Sequence, residues 1–288
     1  MGVAHPLTSR RRGARASIAI LSTLAGALLV AACVPVAPSA PPPRVIVYGD
    51  SLVLESRTVL VSEIQRSVPS YLVDVRATGG IAQCDLHQQM LDDGALQPKL
   101  VVIAFAGNNI TPCIAGRPRV AAYAADAEWA ARLWADRGVA VIFVRTPQRA
   151  GLPRSPDPIG DAYASVDARW PQHYLADATT YLVDAMGSFQ QTLGCLVGEG
   201  PAHGCVGGQI QVRDVFGVHF CPLTGSAPCA VYSSGIVRFV APIVQAVAWH
   251  QGGRPPTLPV LASTTTTSTT TTTSTTTTTS TTTTTTSP

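Results

Sequence analysis

The chain has 288 residues, 46% of them hydrophobic and only 13% charged, with a formal net charge of +3. Arg10, Arg11, Arg12 and Arg15 account for that excess: setting these four aside leaves 16 of the 20 basic residues against 17 acidic ones. The body is therefore close to neutral and lacks the basic footprint that nucleic-acid binding requires.

In chain order, residues 1–33 join those arginines to an apolar run over 18–32 and end on Cys33, the pattern of an export signal. The run is shorter than the roughly 20 residues of a membrane-spanning helix, although a retained anchor is the alternative. Val30-Ala31-Ala32-Cys33 resembles a bacterial lipobox, which would make Cys33 the lipidated first residue of a membrane-anchored mature protein; ordinary signal-peptidase cleavage nearby is the other possibility. Residues 34–43 form a Pro-rich linker with nothing large to bury. The globular body spans 44–252. Residues 253–288 form a tail that is almost pure Thr and Ser from Ser263 onward, so it is expected to be disordered for want of any group that could build a core.

Within the body, Val- and Ile-rich runs predict strands over 45–48, 71–76, 100–105, 139–144 and 181–184. Helices are expected over 52–66, 85–93, 120–137, 163–178 and 234–250. Leu100-Val101-Val102-Ile103-Ala104-Phe105 is apolar on both faces, as in a parallel sheet covered by helices on each side. The alternation predicts an α/β fold of three layers. Ligands bind such sheets beyond the carboxyl ends of the strands, so the residues following each strand are where chemistry is sought.

After the first strand comes Tyr48-Gly49-Asp50-Ser51-Leu52, which puts Ser51 at a helix N-terminus, where free N–H groups favour developing negative charge. Capping alone would also explain Asp and Ser there. After the second strand lies Ala77-Thr78-Gly79-Gly80, and after the third Ala106-Gly107-Asn108-Asn109; exposed glycine N–H groups and an Asn amide are the donors an oxyanion hole needs. Both are equally ordinary turn sequences. A serine nucleophile also needs an imidazole to take its proton. Of the six histidines, His219 in Arg213-Asp214-Val215-Phe216-Gly217-Val218-His219 is the best placed, since His5 lies in the signal, His87 and His250 look helical, and His173 and His203 have no matching motif.

Together Gly49-Asp50-Ser51-Leu52, Gly79-Gly80, Gly107-Asn108 and His219 resemble, in order, the four blocks of the SGNH (GDSL-type) hydrolases. The segments around Gly80-Ile81-Ala82-Gln83-Cys84-Asp85 and His219-Phe220-Cys221-Pro222 resemble bacterial members linked to acylation of carbohydrates. The resemblance implies a flavodoxin-like three-layer fold and ester hydrolysis or acyl transfer with no metal or other cofactor. Carried over to this chain, it makes Ser51 the nucleophile, His219 the general base, and the N–H groups of Ser51, Gly80 and Asn108 the oxyanion hole. With the export signal, the expected substrate is an acylated glycan, a lipid or another small ester at the cell surface. The family's acid normally lies three residues before its histidine, where this chain has Phe216; Asp214 is the expected substitute, with a main-chain carbonyl as the alternative. A surface lipoprotein that binds an acylated glycan without catalysis is the competing reading.

With Cys33 lipidated, six cysteines remain, an even number that suits an oxidising compartment and allows 15 connectivities. The expected bridges are Cys84 with Cys113, which would tie together the two loops carrying oxyanion donors, Cys195 with Cys205, and Cys221 with Cys229. A zinc site at His203, Cys205, His219 and Cys221 is the competing arrangement, but the spacing has no paired CxxC character.

Overall fold

The computed structural model describes residues 41–147, 149–150, 158–220 and 233–252. The expected signal, Cys33, Cys221, Cys229 and the Thr-rich tail lie outside these residues. Among the described residues no helix is long and apolar enough to cross a membrane.

Five parallel strands form the sheet: β1 (Arg44–Gly49), β2 (Leu72–Ala77), β3 (Leu100–Ala104), β4 (Ala140–Arg145) and β5 (Tyr174–Asp177), in the spatial order β2-β1-β3-β4-β5. This is the flavodoxin-like doubly wound order, whose switch point falls where the chain leaves β1 and returns as β3 on its other side. The helices are α1 (Ser51–Ser67), α2 (His87–Asp93), α3 (Arg119–Ala135), α4 (Pro158–Asp167) and α5 (Ser234–His250).

Period-two alternation along the strands sorts the core into two halves. Val45, Val47, Val102, Ile142 and Val144 pack with Leu52, Val59 and Leu60 of α1 and with Ile236, Phe239 and Ile243 of α5. Ile46, Tyr48, Val101, Ile103, Val141 and Phe143 face the other way, onto Tyr123, Ala127 and Trp134 of α3 and onto Ile159 and Tyr163 of α4. Three layers result, as the two-sided apolar runs predict.

The fifth strand differs from expectation. The helix expected over 163–178 ends at Asp167, and Tyr174–Asp177 enters the sheet beside β4 with Ile142 opposite Tyr174. Pro171 explains the break: it has no N–H for a helix and biases the preceding Trp170 away from helical angles. His173 then locks the new strand in place, its Nδ1 accepting the Val141 N–H at 3.1 Å. The segment expected as a strand at 181–184 contributes only an isolated bridge between Val183 and Phe189.

A two-stranded antiparallel hairpin, β6 (Thr192–Gly194) with β7 (Gln209–Gln211), stands apart from the main sheet. The Cys195–Cys205 disulfide closes the loop between its strands. Arg238 of α5 is only 1% exposed and holds the hairpin through the Gly194 carbonyl at 2.6 Å and the Glu199 carboxylate at 2.5 and 2.9 Å.

Candidate active site

The handover from β1 to α1 admits only glycine at position 49. A Cβ there would stand 2.2 Å from Val53 Cγ2 and 2.8 Å from the Ala104 carbonyl oxygen. This close approach brings the start of α1 against the end of β3, at the switch point. Asp50 is the N-cap of α1, its Oδ1 accepting the Leu52 N–H at 3.1 Å. Its Oδ2 reaches across to the β3 exit, accepting from the Ala106 N–H at 2.6 Å and from Asn108 Nδ2 at 3.2 Å. One buried carboxylate thus ties two of the expected blocks together.

Ser51 is the first residue of α1, where the first four N–H groups of a helix have no partner within it. Asp50 satisfies Leu52, and the Ser51 N–H has no acceptor among the described residues. Nor does the N–H of Gly80, which sits in the left-handed region at φ +78°. Gly79 packs directly beside Ser51, since a Cβ there would be 3.9 Å from Ser51 Cβ. Asn108 Nδ2 donates to the Ile81 carbonyl at 3.0 Å as well as to Asp50, and Tyr123 of α3 donates to the Asn108 carbonyl at 3.0 Å. The Asn108 side chain is therefore spent on bracing the loops, leaving its backbone N–H as the donor it could offer an oxyanion.

The Cys84–Cys113 disulfide spans the same two loops, with its Cα atoms 6.0 Å apart. Both of the expected bridges that fall within the described residues are formed; the Cys221–Cys229 pair lies outside them. Replacing Cys84 and Cys113 together with Ser is expected to lower the unfolding free energy by about 2–4 kcal/mol, read from urea denaturation under non-reducing conditions. An unchanged midpoint would show that the bridge does not constrain the unfolded chain. Because Cys205 is bonded to Cys195, it has no thiolate to offer the zinc arrangement considered above.

His219 ends a tight turn beginning at Asp214. The Asp214 N–H donates to the His219 carbonyl at 2.8 Å, and Asp214 Oδ1 accepts the N–H groups of Val218 at 2.8 Å and His219 at 3.2 Å. Asp214 is the expected support of the imidazole, but its Oδ1 instead accepts from the main chain of the turn, and it makes no hydrogen bond to the ring among the described residues. Phe216, in the position usually held by the acid, is 75% exposed.

The partner of the imidazole is Glu55. His219 Nδ1 hydrogen-bonds Glu55 Oε1, with the nitrogen donating because a carboxylate can only accept, and the Phe220 N–H donates to Glu55 Oε2 at 3.1 Å. Glu55 lies four residues after Ser51 on α1, so the two share one helix face. The imidazole is consequently tied to the helix that Ser51 begins, one turn along from it. Nε2 has no hydrogen-bond partner among the described residues, and neither does Ser51 Oγ. Such pairs are often long in a ligand-free site and tighten when substrate arrives.

Charge follows this geometry. The hydrogen bond to Glu55 outweighs burial and raises the His219 pKa above its ordinary value, with the Glu55, Asp214 and Asp50 charges acting in the same direction. Burial pushes the Asp50 carboxyl up to about 6, opposed by the N–H groups of Ala106 and Leu52 and by His219. The site thus combines an orphan N–H pair, an N-terminal serine and an oriented imidazole, the parts of an acyl-transfer centre.

No family model matches the chain, and no curated relative matches it. Among solved structures, it is similar to a GDSL-like lipase from Bacteroides thetaiotaomicron, at 16% identity and a TM-score of 0.50 over 78% of this chain and 97% of that one. An acylhydrolase candidate from Bacteroides fragilis aligns at 21% identity and 0.46 over 77% and 93%. A psychrotrophic esterase from Pseudoalteromonas aligns at 12% identity and 0.42 over 72% and 94%. The first of these likenesses establishes that the chain has the fold of a GDSL-type hydrolase.

Proposed function

We propose that the protein is a serine esterase or O-acyl transferase acting on a small acyl ester, with Ser51 as nucleophile and His219 as general base. The observation that carries this reading is the imidazole of His219 hydrogen-bonded through Nδ1 to Glu55, one helical turn after Ser51 on the helix that Ser51 begins. Ser51 Oγ attacks the acyl carbonyl and gives its proton to His219 Nε2. The oxyanion is met by the N–H groups of Ser51 and Gly80, with that of Asn108 as third donor. Collapse returns the proton to the leaving alkoxide and leaves an acyl ester on Ser51, which water or a sugar hydroxyl then releases with His219 again as base.

An acylated glycan at the cell surface is the substrate class we favour, on the resemblance of the segments around Gly80 and His219 to carbohydrate-acylating members. Ile110, 80% exposed beside Gly80, offers an apolar edge for the acyl group. Export with a lipid on Cys33 and a Thr-rich spacer after the domain completes the reading. The two disulfides support an oxidising compartment.

A fluorophosphonate tests the assignment directly, because it traps an activated serine as a stable adduct. Peptide mass spectrometry is expected to find the adduct on Ser51 alone, and none after His219→Ala. Absence of any adduct on the wild-type protein, together with no turnover of p-nitrophenyl acetate, would favour the non-catalytic glycan-binding lipoprotein.

A further inference from the structure

We infer that Glu55 is the acid of this site: it stands on the nucleophile's helix rather than in the histidine's own loop, and from there it orients His219 and stabilises the imidazolium formed during acyl transfer. This rests on the reading of Ser51 and His219 as nucleophile and base. Three observations carry it. The Glu55 carboxylate bridges the imidazole Nδ1 and the Phe220 N–H, so it clamps the ring and the main chain of the same loop with its two oxygens. Asp214 turns its Oδ1 to the backbone amides of Val218 and His219 and makes no hydrogen bond to the imidazole among the described residues. Phe216 is turned to solvent and has no group that could accept a hydrogen bond.

The arrangement has a mechanical consequence. An acid three residues before the histidine would travel with the histidine's loop, whereas Glu55 stands one helical turn from Ser51 on a single rigid element. The distance between nucleophile and acid is then fixed by helix geometry, and the 214–219 turn is registered against the nucleophile by docking on Glu55. Nδ1–H donation to a carboxylate also selects the tautomer with a free Nε2 lone pair, the one able to accept the serine proton.

The carboxylates facing His219 are Glu55 of α1, Asp50 at the cap of α1, and Asp214 of its own turn. Because burial pushes the Asp50 carboxyl up to about 6, toward the imidazole range, the activity profile alone would mix the two. The ring is therefore followed by its own resonances.

The test uses the full protein and p-nitrophenyl acetate, with Glu55→Gln, which keeps the shape and one acceptor while removing the charge. The expected result is a fall in kcat of roughly 10²- to 10⁴-fold with KM little changed, by analogy with loss of the orienting carboxylate in serine proteases. In the Ser51→Ala background, 15N NMR is expected to show a His219 pKa above about 6.5 that drops when Glu55 becomes Gln. A group that merely held the loop would change stability or KM without moving this titration in that direction. A kcat for Glu55→Gln within about threefold of wild type, with an unmoved His219 titration, overturns the inference and leaves Ser51 and His219 standing. Full activity in Ser51→Ala would instead overturn the underlying reading. Should Glu55→Gln fail to fold, the wild-type ring decides: Nδ1–H with a bare Nε2 at high pH supports the role of Glu55, and the opposite tautomer refutes it.

Discussion

Ser51→Ala is expected to lower kcat/KM for p-nitrophenyl acetate by about 10⁴- to 10⁶-fold, His219→Ala by a similar factor, and the double variant by no more than either alone. Non-additivity is the informative part. A serine without its base and a base without its serine are equally unable to form the acyl intermediate, so removing the second partner costs nothing further. Stability should scarcely change in Ser51→Ala, because Ser51 Oγ has no hydrogen-bond partner among the described residues and its loss leaves no buried group unpaired. The helix keeps its cap, which is Asp50 rather than Ser51. Active-site titration and thermal unfolding on the same preparations separate loss of chemistry from loss of fold. Two single-variant losses that multiplied in the double variant would mean that the residues act in independent steps.

The sheet was legible because its chemistry is local: β1, β3 and β4 are Val- and Ile-rich runs whose alternating faces meet two different helix layers. β5 was not, since Tyr174-Leu175-Ala176-Asp177 fits a helix as readily as a strand and only pairing with β4 decides between them. Pro171 was the available signal, and it marks where α4 cannot continue. In the site, each block follows a strand and so could be found by walking the chain. Glu55 could not be found in that way, because its role depends on a partner 164 residues further on. A faint signal existed: an acid four residues after a serine at a helix start must share its face. The histidine's own loop offers Asp214 as the nearest acid in sequence, and that residue does lie in the turn but supports its backbone.

Arg238→Met is expected to lower the unfolding free energy by about 3–5 kcal/mol, the range seen when one partner of a buried pair is removed. Arg238 donates Nε to Glu199 Oε1 at 2.9 Å, Nη2 to Glu199 Oε2 at 2.5 Å and to the Gly194 carbonyl at 2.6 Å, and Nη1 to the Tyr181 carbonyl at 3.3 Å. Methionine fills much of the volume but leaves both carbonyls and the carboxylate short of donors. Glu199 keeps only the Leu196 N–H at 2.6 Å and the Ser234 hydroxyl. Burial pushes the Glu199 carboxyl up, but in the wild type Arg238 and these two donors outweigh it and hold the pKa below the ordinary value. A depressed folded-state pKa contributes stability that is present above the unfolded pKa and lost as pH falls through the folded one. The gap between wild type and Arg238→Met should therefore be widest near neutral pH and narrow in acid, where the variant can protonate Glu199. Adding Glu199→Leu to Arg238→Met should recover part of the loss, since two apolar side chains in place of a buried pair leave no charge stranded. Urea titrations across pH on the wild type, Arg238→Met, Glu199→Leu and the double variant measure the cycle. A double variant less stable than Arg238→Met alone would show that Glu199 holds the hairpin through Leu196 and Ser234 rather than through Arg238.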